Sequence, residues 1–223
     1  MYILQVLYIS IFSTVLHFSY DITNHLLIFA IIGSINESTW EHLKIGIFPW
    51  ITWFVLRSYF FSYINSYFGN LIAIFTFMII CSYIFYGSLF IFKRHVLIIS
   101  ISSFYIGVAS GSFSEYIIKD YKFTQFYEII GFIGCLTLIL FGIIWTFYPI
   151  KCFLTLDVRY QLYGIEAHEN RCDITAKKQY IVYIFNLFGI PFPKNTSDDK
   201  SVKKNRIRKE GKNRKRIDKL KIN

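Results

Sequence analysis

Leu71-Ile-Ala-Ile-Phe-Thr-Phe-Met-Ile-Ile-Cys-Ser-Tyr-Ile-Phe-Tyr-Gly-Ser-Leu-Phe-Ile-Phe92 is 22 residues without a charge. As a helix it reaches about 33 Å, enough to cross a hydrocarbon core about 30 Å thick. Ile, Phe and Tyr favour strands, yet a run without alternation lacks the pattern of a membrane-barrel strand. The reading is a transmembrane helix. Residues 96–114 and 129–150 are further uncharged runs, of 19 and 22 residues. A chain with 54% hydrophobic residues could be a soluble domain, but here they come in blocks and not at core periodicity.

Working outward, residues 2–20 are also uncharged. They have no basic n-region and no A-x-A site, so they read as a retained first span and not a removed signal peptide. Residues 39–62 give the second span, with Pro49 expected to kink it and Arg57 expected to snorkel near its far end. The third to fifth spans are expected at 71–92, 96–118 and 129–148. In the fourth, Gly107, Ala109, Ser110, Gly111, Ser112 and Ser114 form a small-residue stripe that permits close helix packing. Glu115 and Glu128 read as interfacial. Residues 26–35 are apolar but too few to cross, so they re-enter, lie at the interface or pack as a buried helix. The fold class is all-α: a multi-pass helical membrane protein of about five transmembrane helices plus a short re-entrant or interfacial segment.

Between the short segment and the second span lies Ser34-Ile-Asn-Glu-Ser-Thr-Trp-Glu-His-Leu-Lys44. Glu37, Glu41, His42 and Lys44 sit where water gives way to hydrocarbon, and charge there is costly unless it is partnered or used. Ser38 and Glu41 have the spacing of a capping box, in which serine and glutamate each satisfy a backbone donor of the other's residue. Glu37, Glu41 and Lys44 would share one helix face. Taken singly these residues are a cap, an interfacial Trp40 and a snorkelling Lys44. Upstream, His17 and Asp21 are four apart on one helix face, and His17, Asp21, Glu37, Glu41, His42 and Lys44 together make a candidate ligand-binding site between the first two spans.

The same residues carry a resemblance. Asn36-Glu-Ser-Thr-Trp-Glu-His-Leu-Lys44 with Pro49, His17-Phe-Ser-Tyr-Asp21, and later Thr146-Phe-Tyr-Pro149, Phe153-Leu-Thr-Leu-Asp157 and Tyr163-Gly-Ile165 are similar to the pattern of an uncharacterised bacterial membrane-protein family, domain of unknown function 6512. The likeness covers about residues 10 to 165. It departs in having one proline where a pair is expected and in a long basic extension after Ile165. What it implies is a multi-pass membrane fold, with no established activity.

The formal charge of +10 is unevenly placed. From Pro191 onward there are 13 Lys+Arg against 4 Asp+Glu, or +9, which leaves +1 for residues 1–190. Three parts follow: a helical membrane domain over 1–150, a polar segment with an interfacial helix over 151–192, and a basic disordered tail over 193–223. The tail is expected to touch anionic lipid, with no nucleic-acid partner, because the anionic leaflet is already within reach. Basic residues beside the spans put the tail in the cytoplasm and the N-terminus outside, in the plasma membrane.

The four cysteines, Cys81, Cys135, Cys152 and Cys172, have no C-x-x-C spacing and read as small apolar fillers. No nucleotide loop, G-x-S-x-G elbow or dinucleotide fingerprint is present. Three functions stay open. The leading one is binding or moving a small ligand or ion at the polar site on the cytoplasmic side. The second is a membrane-embedded metal-dependent hydrolase, with His17, His42 and a carboxylate holding the metal and another carboxylate as base. The third is a non-catalytic scaffold with a basic tail. Oligomeric state and cofactor have no sequence signal.

Overall fold

A computed structural model describes residues 2–60, 66–157 and 163–164. All fall in the first of two compact units, residues 1–185; the second unit, 186–223, lies outside the described residues. So do the expected interfacial helix at 180–190, the basic tail and Cys172.

The order of elements is α1 (Tyr2–Ile22), α2 (Leu27–Ile32), α3 (Thr39–Phe60), α4 (Tyr67–Phe92), α5 (Leu97–Ile118) and α6 (Gln125–Phe147), and no strand occurs among the described residues. Four of them, α1, α4, α5 and α6, are each long and apolar enough to cross a membrane. The chain is a multi-pass helical membrane protein. Its surface agrees: Ile3, Leu7, Ile11 and Val15 on α1, and Ile129, Ile133, Leu136, Leu140 and Ile144 on α6, recur every three or four residues and are exposed. Such stripes suit lipid and would be unstable in water.

The expected second span forms as α3, yet it is not among the four apolar helices. The reason is its position. It packs against α1, α2, α4 and α6, and Trp40, Leu43, Ile47, Trp50, Trp53 and Phe54 are buried along it. A helix surrounded by other helices can carry charge that a lipid-facing helix cannot. It still carries the chain through the bundle: Thr39 Oγ1 meets Tyr86 Oη, 2.8 Å away, near the end of α4, whereas Arg57 meets Glu115 near the end of α5. Helix α1 therefore runs from a near end to a far end, α3 returns, α4 goes out, α5 returns and α6 goes out.

The small-residue stripe works as expected. A Cβ at Gly111 would fall 2.5 Å from both the Ala73 carbonyl oxygen of α4 and the Trp50 ring of α3, so only glycine lets the three helices close there. Helix α3 runs through Pro49 without a break. Helix α2 has only six residues, packs on α1, α3 and α6, and does not span.

Candidate functional site

The far end of the bundle is closed by an interlock between the Asn36–Lys44 stretch and the segment after α6. The Trp40 amide donates to the Leu154 carbonyl at 2.8 Å, and the Glu37 amide donates to Asp157 Oδ2 at 2.6 Å. Asn36 works in both directions: its Nδ2 donates to the Gly164 carbonyl at 2.9 Å and its Oδ1 accepts from the Ser38 amide at 2.9 Å. Isolated bridges Ser38–Asp157 and Leu156–Tyr163 complete the clasp. Gly164 has φ +60°, and a Cβ there would lie 3.1 Å from both the Pro149 ring and the Thr146 carbonyl. Two motifs more than a hundred residues apart in sequence thus hold one loop.

Ser38 is half of the expected capping box. Its Oγ accepts from the Glu41 amide at 3.3 Å, but Glu41 does not reach back to it. Glu41 Oε2 instead accepts from the Ile35 amide at 3.0 Å and pairs with Lys44 Nζ at 2.7 Å. A buried ammonium forces this departure. Lys44 is fully buried and does not snorkel: its Nζ also donates to the Ala30 carbonyl at 2.9 Å and to Thr146 Oγ1 at 2.8 Å. These three partners match the three hydrogens of an ammonium and tie α3 to α2 and α6. Trp40 is likewise buried, its ring centroid 4.5 Å from that of Trp145, and is not an interfacial anchor.

Glu37 does not share a face with Glu41 and Lys44. It precedes α3 and turns toward α1. There Glu37 Oε1 lies 4.0 Å from His17 Nε2, and Glu37 Oε2 lies 3.7 Å from His42 Nε2. The two imidazole centroids are 5.1 Å apart. One donor atom from each of His17, Glu37 and His42 can be chosen so that all three lie within 4.8 Å of one another. The side chains are 24%, 29% and 34% exposed, which leaves the cluster open to water. His42 is oriented by the start of its own helix: Nδ1 lies 2.8 Å from the Ser38 carbonyl, which can only accept, so Nδ1 carries a hydrogen and Nε2 is the ring nitrogen turned toward Glu37.

Of the six candidate residues, three meet at this cluster, and Glu41 and Lys44 form an ion pair beneath it. Asp21 stands apart. It is two-thirds exposed and lies 3.9 Å from His25 Nε2. Asn36 and Asp157 entered the sequence reading only as parts of family motifs, with no role in the site; Asp157 is fully buried and holds the Glu37 amide. A carboxylate in an apolar surrounding was the available signal.

A second polar group was missed at the near end. Arg57 does not reach out to solvent, and Glu115 is turned into the protein. Both are buried, Arg57 Nη2 donating to Glu115 Oε1 and Gln5 Nε2 donating to Glu115 Oε2 at 2.7 Å. Glu128 is partnered too, accepting from Ser66 Oγ at 2.6 Å and from the Tyr67 amide at 2.7 Å, where it caps the start of α4.

The model of a family of unknown function, DUF6512, matches residues 1–165, the portion that contains both halves of the clasp. No curated protein and no solved structure matches the chain.

Proposed function

We propose, for a chain that belongs to this family of unknown function, DUF6512, that it binds a divalent transition-metal ion at His17, Glu37 and His42. The observation that carries this reading is the convergence of three ligand atoms within 4.8 Å. Tetrahedral ligands about 2.0–2.1 Å from zinc stand roughly 3.4 Å apart, so a set of donors spread over no more than 4.8 Å has to close by about 1.4 Å at most. Two imidazoles and a carboxylate suit zinc or a neighbouring first-row ion and leave a coordination position for water or for a passing ligand. Asp157, which holds the Glu37 backbone, orients one ligand; the Ser38 carbonyl orients another.

Binding is favoured over hydrolysis by the state of the nearest carboxylates. Glu41 is taken up by Lys44 and the Ile35 amide, and Asp157 by the Glu37 amide, so neither is set to work as a base. The basic loop Lys93-Arg94 and the end of α6 share the far end with the cluster, and by the positive-inside rule this supports a metal on the cytoplasmic side of the plasma membrane, with the N-terminus outside. The polar segment 151–192 and the tail 193–223 would then lie in the cytoplasm, where the tail's excess of Lys and Arg meets anionic lipid and not nucleic acid.

The test is metal content of the full chain purified in detergent and dialysed against micromolar Zn2+ or Co2+. About one ion per chain is expected, with tetrahedral visible absorption for Co2+, and His17→Ala or His42→Ala should weaken binding at least about tenfold. Glu37→Gln should do the same. Metal below a tenth of an ion per chain, or equal binding by all variants, removes the reading.

A further inference from the structure

Helix α4 packs on α3, α5 and α6 with one side and leaves the other bare. Phe75, Ile79, Tyr83 and Ile91 stand on the bare side, all of them exposed, at steps of four or eight residues. Gly87 occupies the missing step. A Cβ added there would meet nothing within 4 Å, so the ridge has an open notch one turn beyond Tyr83.

Tyr83 is at odds with a face that meets only lipid. It is 77% exposed. The uncharged run 71–92 has its middle between residues 81 and 82. The Tyr83 Cα therefore lies about 2 Å from the mid-plane of the hydrocarbon and about 13 Å from its boundary. The other tyrosines set well inside a span each share a hydrogen bond with a threonine of another helix: Tyr8 with Thr52 at 3.1 Å, Tyr86 with Thr39 at 2.8 Å and Tyr105 with Thr14 at 3.0 Å. Tyr59, Tyr116 and Tyr148 stand at helix ends, where a phenol reaches the interface. The Tyr83 hydroxyl has no hydrogen-bond partner among the described residues. Acyl chains offer it no acceptor, and headgroups lie beyond the reach of one tyrosine ring, so bare lipid leaves a costly unpaired hydroxyl.

We propose that this face of α4 docks against the same face of a second copy of the chain, α4 beside α4 about a two-fold axis along the membrane normal. Such an axis keeps both copies in one orientation across the membrane and sets equal depths of the two helices side by side, so the two Tyr83 rings come together. A phenol hydroxyl both donates and accepts, which lets two copies of one residue satisfy each other with no third group. Shape fits as well. A ridge at steps of four is the contact row of helices that cross right-handed at about −40°, and the notch at Gly87 lets the two backbones approach beside the phenols. A purely apolar partner would cover the ridge and still leave the hydroxyl unpaired. The contact is independent of the metal reading, since it shares no residue with the His17–Glu37–His42 cluster.

The experiment uses the full chain in the membranes of the expressing cells, with Cys81, Cys135, Cys152 and Cys172 replaced and a single cysteine introduced. Oxidative cross-linking of Ile79→Cys should give a product of twice the chain mass, whereas Ile133→Cys, on the exposed face of α6, should give none. Sedimentation equilibrium of the chain in detergent then reads the dissociation constant of the dimer. Tyr83→Phe keeps the ring and removes the hydroxyl, and should raise that constant about threefold to tenfold. Gly87→Leu fills the notch and should leave monomer where the unaltered chain is dimeric. At dilutions where all are monomeric the unfolding midpoints should agree, which separates a lost contact from a lost fold; if Gly87→Leu lowers the midpoint, Tyr83→Phe decides. The proposal is overturned by a chain that stays monomeric and gives no Ile79→Cys product, by a product of another mass, which marks a different protein on this face, by equal cross-linking at Ile133, or by Tyr83→Phe dimerising as tightly as the unaltered chain.

Discussion

Lys44 holds its charge where water does not reach, so each ammonium hydrogen must find an oxygen in the protein. It finds them on Glu41, Ala30 and Thr146. Replacing Lys44 with Met leaves Glu41 buried without its counter-charge, which by analogy with other broken buried pairs costs about 3–5 kcal/mol. The unfolding midpoint of Lys44→Met in detergent should fall steeply, and the double variant Glu41→Gln with Lys44→Met should recover most of the loss; an unchanged midpoint in the single variant would show that the pair is not sealed from water. That Glu41, His42 and Lys44 needed a purpose was legible from their setting between two apolar runs. Their partners were not. Spacing near the end of a span reads as cap and snorkel because those uses need only local sequence, whereas Lys44 meets Thr146 and Arg57 meets Glu115 across gaps of 102 and 58 residues. Asp21 was grouped with His17 because four-residue spacing predicts a shared face, yet Asp21 sits on the outer side of α1, two-thirds exposed, and only His17 turns toward Glu37 and His42.

At the level of elements, the apolar runs at 71–92 and 129–150 predicted helices because length and lack of charge decide that question alone. The centrality of α3 was hidden for the same reason inverted: its Glu41, Lys44 and Arg57 lower its apolar character, and only packing explains how it tolerates them. The clasp that closes the far end depends on backbone geometry at Gly164. An alanine there must adopt a left-handed conformation and place its Cβ 3.1 Å from the Pro149 ring and the Thr146 carbonyl, a strain of about 1–3 kcal/mol. Gly164→Ala should therefore lower the unfolding midpoint and also weaken metal binding, since the Gly164 carbonyl anchors Asn36, one residue from the ligand Glu37. A lowered midpoint with unchanged metal affinity would separate the clasp from the cluster. Gly111→Leu tests packing instead. Its side chain would collide with Ala73 and Trp50, and the variant should lose the sharp thermal transition in detergent while metal binding at the distant cluster fails only with global unfolding.

For the whole molecule, five traverses follow from connectivity even though four helices are apolar enough to cross alone. Helix α1 ends beside the clasp and α4 begins beside Arg57 and Glu115, so α3 has to carry the chain between the two ends. Across the 22 residues of α3 the rise is about 33 Å, the hydrocarbon thickness with a small margin. An odd number of crossings sends residues 24 and 94 to one face of the membrane and residues 120 and 121 to the other. All four are exposed, which makes them fit for labelling. In a background with Cys81, Cys135, Cys152 and Cys172 replaced, single cysteines at Asn24, Arg94, Asp120 and Tyr121 would be treated with an impermeant thiol reagent on intact cells. Cysteines at Asp120 and Tyr121 should react at once, and those at Asn24 and Arg94 only after permeabilisation, because the basic residues flanking the spans favour the cytoplasm for the far end. The reversed pattern would keep the fold and move the His17–Glu37–His42 cluster outside the cell. If the cysteine at Asn24 shares the accessibility of those at Asp120 and Tyr121 while the one at Arg94 shows the opposite, α3 does not cross, and with that the placement of the two polar sites at opposite ends of the bundle would fail.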